Sequence, residues 1–458
     1  MVVEVWHSEG RPAPFSLIDS RSRGRNAAWS GGVPFIGVTS TSTVVSVPTV
    51  MIDIRSITAE DAYMFRSQVF QTFGRDVETD DAAADRFEAI FDFDRTLAAF
   101  DGDDIVGTCA AFPLGLTVPG GVEVAMGGTT VVTVRPTHRR QGVLRALIGH
   151  HFDDIAGRGE PLAGLWASEG PIYGRFGYGP ASNLYDTRIH ARDVRFEGGS
   201  HRGVPRLVDV EEAGSLGRRI HESVRLRRAG MLTRNDAWWD HRVLADSESW
   251  REGKSEHRYV VYEQEGEPTG YAMYRQKGKW ADQLPDGVVS VTELVAATSD
   301  AHRGLWSYLL NIDLFPNVEY WNLPVDDPLP HLLDNHRRVT RRLEDALWLR
   351  LMDVPEALGK RSYEYEGVVV FGVTDTSSHS TAGTYRLEVV DGVGQCERVV
   401  DVAPDLELDI SALSRLYLGG GDVPGLAAAG LITGSPEAVT ALHRIMHTDV
   451  APWCPEIF

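Results

Sequence analysis

The chain has 458 residues, more than one ordinary core accommodates, so two to four domains are expected. Its 45 basic against 65 acidic residues give a formal charge of −20, a field that repels nucleic acid and favours cationic substrates or partners. Cys109, Cys396 and Cys454 are too few and too scattered for a disulfide framework or a zinc site, which fits a reducing cytoplasm.

No apolar run approaches the length of a membrane-spanning helix and no signal-peptide pattern opens the chain, so no membrane partner is expected. Residues 1–50 are rich in Ser, Thr, Gly and Pro, carry only Glu4, Glu9 and Asp19 as acids, and lack sustained periodicity. Met51 then opens MIDIRSITAEDAYMFRSQVF, which reads as a strand, a Thr58 cap with acidic residues in the first turn, and a helix. Translation is expected to start at or near Met51, with residues 1–50 a disordered or misassigned extension.

Residues 51–192 alternate strand-like and helix-like segments, with turn signals at Asp101-Gly102 and Gly120-Gly121, as one α/β domain does. Within it, VVTVRPTHRRQGVL at 131–144 reads as strand, loop and helix start. Val131, Val132 and Val134 are β-branched, and Pro136 ends ladder donation. Leu144, Leu147, Ile148, Phe152 and Ile155 then recur at helical spacing. The first N–H groups of such a helix lack intrahelical partners and sit at the positive end of its dipole, while Gly142 permits close approach to the backbone. This is a pyrophosphate-binding arrangement, yet neither GxxxxGK[ST] nor GxGxxG is present. Further on, LWASEGPIYGRFGYGPAS at 165–182 interleaves glycines with Tyr173, Phe176 and Tyr178.

A charged stretch from Asp193 to Gly203 leads into a second domain, residues 193–350, with strands near 259–262 and 270–274. Its segment 288–310, VVSVTELVAATSDAHRGLWSYLL, repeats the order strand, loop, His302-Arg303-Gly304, apolar helix. It has one arginine where the first copy has two, and no SEGPIYGRFGYG follows. From about Leu351 strands such as TYRLEVV appear, with Tyr385, Leu387 and Val389 alternating against Arg386, Glu388 and Val390. Ser435, Pro436 and Glu437 cap a last helix.

Taken together, THRRQGVLRA, ASEGPIYGRFGYGPA, DPLPHLL at 327–333, ALWLR at 346–350, LYLG at 416–419 and the aromatic C-terminus closely resemble the Eis (enhanced intracellular survival) family of GNAT N-acetyltransferases. One departure is Leu144, where the superfamily's acetyl-CoA loop usually has glycine or alanine. The resemblance implies an α/β (α+β) chain of tandem GNAT-type domains, then a sterol-carrier-like domain at 351–458; the lone arginine and absent tyrosine motif of the second copy read as a degenerate domain, structural and substrate-shaping rather than a second active site. It also implies acetyl-CoA as co-substrate, a homohexamer, and acetylation of amines on aminoglycoside-like compounds, polyamines or lysine side chains.

Acetyl transfer from a thioester to an amine needs a deprotonated amine, an oriented carbonyl and a proton for the departing thiolate. By resemblance, the backbone of Val132, Thr133 and Val134 pairs with the pantetheine arm. Arg140, Gln141, Gly142, Val143, Leu144 and Arg145 take the pyrophosphate, and Ser168 and Glu169 are further cofactor contacts. Tyr173 matches the general acid and Tyr178 a structural position. In the family the general base is the C-terminal carboxylate itself, which by resemblance is here that of Phe458, in a tail, APWCPEIF, apolar enough to be tied down. Phe70 and Glu456 match substrate-side positions, although the run Phe70-Gln71-Thr72-Phe73 departs from the family's phenylalanine, threonine, aspartate. The acidic run Asp76, Glu78, Asp80 and Asp81 is either solvated charge or an attraction for polyamines.

His150 with His151 and His331 with His336 lack a third ligand, so no metal is expected, and no cysteine lies in a nucleophile motif. Direct transfer in a ternary complex is therefore the expectation. The competing reading is a catalytically idle GNAT scaffold, or a lipid-binding protein acting through the third domain.

Overall fold

The computed structural model describes residues 52–77, 81–197 and 199–458; the extension and the start at Met51 fall outside them. The first part of the chain runs β1 (Asp53–Ser56), α1 (Ala62–Thr72), α2 (Asp81–Ile90), β2 (Thr96–Asp101), β3 (Asp104–Val118), β4 (Val122–Val134), α3 (Val143–Gly157), β5 (Leu162–Trp166), α4 (Gly170–Tyr173), β6 (Gly179–Pro180) and β7 (Asn183–His190). The Thr58 N–H donates to the Asp61 carboxylate at 3.0 Å, and a 3-10 turn leads into α1, as the capping sequence requires. In β2, Ala98 and Phe100 face Phe65 and Phe87 of α1 and α2, whereas Ala99 faces Leu147 and Phe152 of α3. With helices on both faces, β3 is buried from Ile105 through Phe112.

The second part runs β8 (Val204–Val208), α5 (Val210–Arg225), α6 (Asp236–Trp238), β9 (Arg258–Gln264), β10 (Glu267–Lys277), β11 (Trp280–Ala281), β12 (Leu284–Pro285), β13 (Val288–Ala296), α7 (Ser299–Leu310), β14 (Asn317–Pro324), β15 (Val339–Asp345) and β16 (Leu347–Leu351). Its sheet has the order β15-β7-β14-β13-β10-β9-β8, and the first sheet has β1-β2-β3-β4-β5-β16-β6. The two sheets are therefore interlocked by exchange: β7 completes the second sheet and β16 the first. Leu347, Leu349 and Leu351 pair with Trp166, Gly164 and Leu162 of β5, while Tyr185 and Leu184 pair with Leu323 and Pro324 of β14. A boundary at residue 192 thus separates no independent sheet.

The third part runs α8 (Val354–Lys360), β17 (Gly367–Thr374), β18 (Gly383–Val390), β19 (Val393–Val399), β20 (Leu406–Asp409), α9 (Ile410–Leu416), α10 (Val423–Ala428), β21 (Ile432–Gly434) and α11 (Pro436–Met446). Tyr385, Leu387 and Val389 point inward, as their alternation requires. Ser435 accepts from the Ala438 N–H at 3.1 Å and caps α11. The core of this part is continuous with the first sheet through Leu114, Leu116, Met126, Leu347 and Leu349, and it includes Phe458. Arg350, fully buried, donates to the Phe176 carbonyl at 2.9 Å and to Asp375 at 2.8 Å, fastening the β17–β18 loop to the glycine-rich segment that carries Tyr173.

Candidate active site

The site begins with a defect in β4. Thr108 faces Thr133 and Ala110 faces Thr130, so Val131 and Val132 together oppose Cys109 in a bulge. Val131 has φ of 46°, a strained conformation for a β-branched residue, which costs about 1–3 kcal/mol. Thr108 holds it: its hydroxyl donates to the Val131 carbonyl at 2.5 Å and lies 2.7 Å from the Thr133 hydroxyl. On the other edge, β4 pairs with β5 only from Met126↔Leu162 to Gly128↔Gly164, after which the strands part. The β5-facing backbone edge of β4 beyond Gly128 has lost its strand partner, a place where an extended ligand can add as a strand.

A cavity of about 50 Å³ opens at this parting, lined by Phe73, Thr129–Val132, Leu165, Trp166, Ser168, Tyr173, Ile457 and Phe458. Tyr173 closes the short helix α4, which has Pro171 in its first turn, and is 6% exposed. Burial pushes its phenol up to about 12, with the Ser168 hydroxyl partly offsetting the shift. Tyr178 lies outside the lining. Its hydroxyl is 2.8 Å from that of Thr129, which in turn is 2.7 Å from His151 Nε2. Burial and the charge of Arg95 bring His151 down to about 3, so this chain of hydrogen bonds is neutral. Burial likewise raises Cys109 to about 12, leaving an inert thiol.

Six and eight residues past the end of β4, Arg140 (φ 65°) and Gly142 (φ 88°) turn the loop into α3. A side chain at Gly142 would be strained, and the space above its Cα is open. The first helical bond, Ala146 N–H to the Gly142 carbonyl, leaves the N–H groups of Val143, Leu144 and Arg145 without intrahelical partners. Leu144 is half-buried against the α3 core, so its bulk turns away from the loop's open side. Arg140, Gln141 and Arg145 are exposed, and Gln141 braces the loop by donating to the Thr137 carbonyl at 3.0 Å. Ser168 lines the cavity, while Glu169 is exposed beside it. An open glycine turn at a free helix N-terminus, flanked by arginines and leading to a parted strand pair, fits a pyrophosphate with an extended arm.

The C-terminal tail reaches this cavity from the far end of the sequence. The Trp453 N–H donates to the Ala229 carbonyl at 2.9 Å, Asn322 Nδ2 to the Cys454 carbonyl at 3.0 Å, and Arg242 Nη2 to the Ile457 carbonyl at 2.6 Å. Arg242, half-buried, lies over the Phe112 and Trp238 rings, and the desolvation of its guanidinium lowers it to about 10. Phe458 itself is 5% exposed.

Two substrate-side expectations shift. Phe70 is buried away from the cavity, and Phe73, one helical turn later at the end of α1, lines it instead. Glu456 does not line the cavity. Its carboxylate accepts from Arg234 Nε at 2.5 Å and lies 3.5 Å from His221; against the upward push of burial these neighbours bring it down to about 2. With a side chain only 3% exposed, this carboxylate presents no open face to an incoming ammonium. Asp76 is exposed, while the side chains of Glu78, Asp80 and Asp81 lie outside the described residues. Trp166, Thr129 and Arg242 went unread in the sequence. Trp166 had a signal, as the strand residue two before Ser168.

The second domain repeats the parted strands without the loop. β13 and β14 pair only from Val288↔Asn317 to Val291↔Tyr320. Only residues 297 and 298 then connect β13 to α7, where 135–142 connect β4 to α3. The Thr298 hydroxyl accepts from the Ala301 N–H at 3.1 Å, so the helix begins at Ser299 and its N-terminus is already capped. His302, Arg303 and Gly304 therefore lie inside α7 rather than before it. Gly304 serves packing, since a Cβ there would sit 2.0 Å from the Tyr262 ring. Among the described residues no three His, Cys, Asp or Glu side chains converge as a metal site, and no helix is long and apolar enough to cross a membrane. A larger hollow of about 590 Å³ between residues 191–201 and α7 includes His201, whose Nδ1 is engaged with the Gly203 carbonyl at 3.1 Å.

Models described as an acetyltransferase (GNAT) domain match residues 53–181 and 230–351, and one described as a sterol carrier protein domain matches 354–455. The chain is an acetyltransferase with two GNAT domains and a sterol-carrier-like third domain. N-acetyltransferase Eis of Mycobacterium tuberculosis is 37% identical over 357 residues, 76% of this chain and 85% of the relative. An uncharacterized N-acetyltransferase of Streptomyces avermitilis is 36% identical over 412 residues, 89% of this chain and 99% of the relative. The crystal structure of Eis1 from Mycobacterium abscessus superposes with a TM-score of 0.75 at 32% identity, covering 89% of this chain and 100% of that one. The chain belongs to the Eis family of N-acetyltransferases. A GCN5-related N-acetyltransferase from Anabaena variabilis, at 20% identity and a TM-score of 0.77, shares the fold.

Proposed function

We propose that the enzyme transfers the acetyl group of acetyl-CoA directly to an amine of a cationic substrate, at the cavity beside β4. The observation that carries this reading is the meeting of Tyr173 and Phe458, 285 positions apart, on the lining of one small cavity where β4 and β5 part. Acetyl-CoA supplies an activated thioester. Val132, Thr133 and Val134 offer the free strand edge that aligns its arm, and Arg140 through Arg145 with Gly142 take the pyrophosphate at the start of α3. Ser168 and Glu169 complete the cofactor contacts.

In this mechanism the Phe458 carboxylate takes the proton of the attacking amine, directly or through water. Tyr173, still protonated because burial holds it near 12, gives its proton to the departing sulfur. Phe73 and Trp166 shape the acceptor side, and the formal charge of −20 draws polycations towards the molecule. Polyamines, aminoglycosides and exposed lysines share the required chemistry: an amine carried on a cationic body.

The test is CoA-thiol release from acetyl-CoA by the full-length protein with spermidine, an aminoglycoside and a lysine peptide. The expected result is amine-dependent release with at least one acceptor, falling as salt rises because exposed charges are screened within about 8–10 Å. Absence of release with every acceptor overturns the reading in favour of an idle scaffold.

A further inference from the structure

The second domain keeps the parted strands of an acetyltransferase site, and the gap is not left vacant. The tail is held at the second residue past the last β13–β14 pair on each strand, Asn322 and Glu293. On β14, Asn322 uses both ends of its amide: Nδ2 donates to the Cys454 and Pro455 carbonyls at 3.0 and 3.3 Å, and Oδ1 accepts from Trp453 Nε1 at 3.0 Å. The Asn322 carbonyl accepts from the same indole at 3.1 Å. On β13, Glu293 accepts from Arg234 Nη1 at 3.1 Å and from the Tyr271 hydroxyl. Arg234 carries the connection on to Glu456 through its Nε.

We propose that the parted β13–β14 gap of the second domain is a docking site for residues 453–456. Through it, Asn322, Arg234 and Glu293 act as positioning residues for the Phe458 carboxylate in the first domain's cavity. The positioning half rests on the proposed role of that carboxylate.

Burial favours this over incidental packing. Trp453 is enclosed in the second-domain core with Met231, Trp239, Tyr271 and Val295, while Phe458 belongs to the core shared by the first and third parts. The tail therefore passes from one core to the other between Trp453 and Cys454, and is anchored in both, so that a shift at Trp453 is passed on towards Phe458. Arg234, Glu293 and Glu456 are almost wholly enclosed, with side-chain exposures of 1%, 8% and 3%. A guanidinium shared between two desolvated carboxylates is a poor source of net stability but a strict setter of register. The same gap filled by the chain's own tail cannot take a cofactor arm, which gives the degenerate domain a task.

The experiment uses full-length protein and the variants Asn322→Ala, Arg234→Met and, as the conservative control, Arg234→Lys. Three quantities are read: release of Phe458 by carboxypeptidase A, acetyl-CoA binding by calorimetry, and kcat with KM for acetyl-CoA. The expected result is Phe458 release faster by about tenfold or more in Asn322→Ala and Arg234→Met, following the population of undocked tail. kcat falls by about 10²-fold with KM for acetyl-CoA unchanged, because displacement by about 1 Å misaligns the carboxylate. Arg234→Lys recovers part of both losses, and every folded form binds one acetyl-CoA per chain. Undiminished protection of Phe458 in both Asn322→Ala and Arg234→Met, or a second acetyl-CoA per chain in the wild type, overturns the docking site. Faster release with unchanged kcat leaves the docking site standing and overturns the role of Phe458 as base.

Discussion

Tyr173→Phe is expected to lower kcat by about 10²–10⁴-fold, the usual contribution of a positioned general acid. The substitution removes one hydroxyl from a ring that is 6% exposed and leaves its packing against Tyr178 in place, so stability changes by only about 1 kcal/mol. Acetyl-CoA affinity stays the same, because the free edge of β4 and the α3 N-terminus are untouched; the loss falls on kcat rather than on KM. The pH dependence follows from the sign of the shift. A phenol raised to about 12 remains protonated well past the point where a free tyrosine ionises, so the ratio of wild-type to variant kcat stays flat from about pH 7 to 10. A fall in that ratio with an apparent pKa near 10 would mean that Tyr173 is not the buried acid described.

The second large effect concerns the fold. A fragment ending at residue 192 is expected not to fold, because it lacks β16. That strand contributes Leu347, Trp348, Leu349 and Leu351, all buried, between β5 and β6. At about 1.5–3 kcal/mol for each buried side chain, their loss removes roughly 6–12 kcal/mol, with ladder bonds to β5 and β6 lost in addition. A typical domain has about 5–15 kcal/mol in all, so the deficit consumes the stability of the first sheet. The β7 strand of the fragment would meanwhile present an unpaired apolar edge, inviting aggregation. Fragments 51–192 and 193–458 expressed separately should be insoluble or lack a cooperative melt, and co-expression should recover part of the soluble material. A soluble 51–192 fragment with a cooperative melt would contradict the interlocked architecture.

The exchange of β7 and β16 explains what the sequence could and could not convey. Periodicity made α3 legible through Leu147, Ile148, Phe152 and Ile155, and made β18 legible through Tyr385, Leu387 and Val389, because each pattern depends only on local geometry. LWLRL at 347–351 reads as a strand on the same grounds, but no local feature says that its partner is β5, some 180 residues earlier. The bulge at Val131 was hidden for a related reason. It sits in a run of β-branched residues with no glycine to mark a positive φ, held there by the distant Thr108. At 288–310 the His-Arg-Gly motif suggested a loop, whereas the cap at Thr298 had already started the helix.

The site itself divided along the same line. The arginine-glycine loop and the tyrosine motif were legible because their chemistry lies in contiguous residues. Phe73 displaced Phe70 by one turn of α1, a difference set by how that helix end meets the cavity. Glu456 looked available to a cationic substrate until the fold supplied Arg234 from 222 positions away. Contacts of that separation arise only from tertiary structure.

The central claim is that the terminal carboxylate acts as the base, and appending one glycine after Phe458 tests it most directly. The extension moves the carboxylate by one residue while Arg242, Asn322 and Arg234 still hold the tail. Measured side by side with the wild type, the extended protein is predicted to bind one acetyl-CoA with unchanged affinity and to lose about 10²–10⁴-fold in kcat with an amine acceptor. Full turnover by the extended protein would contradict the account.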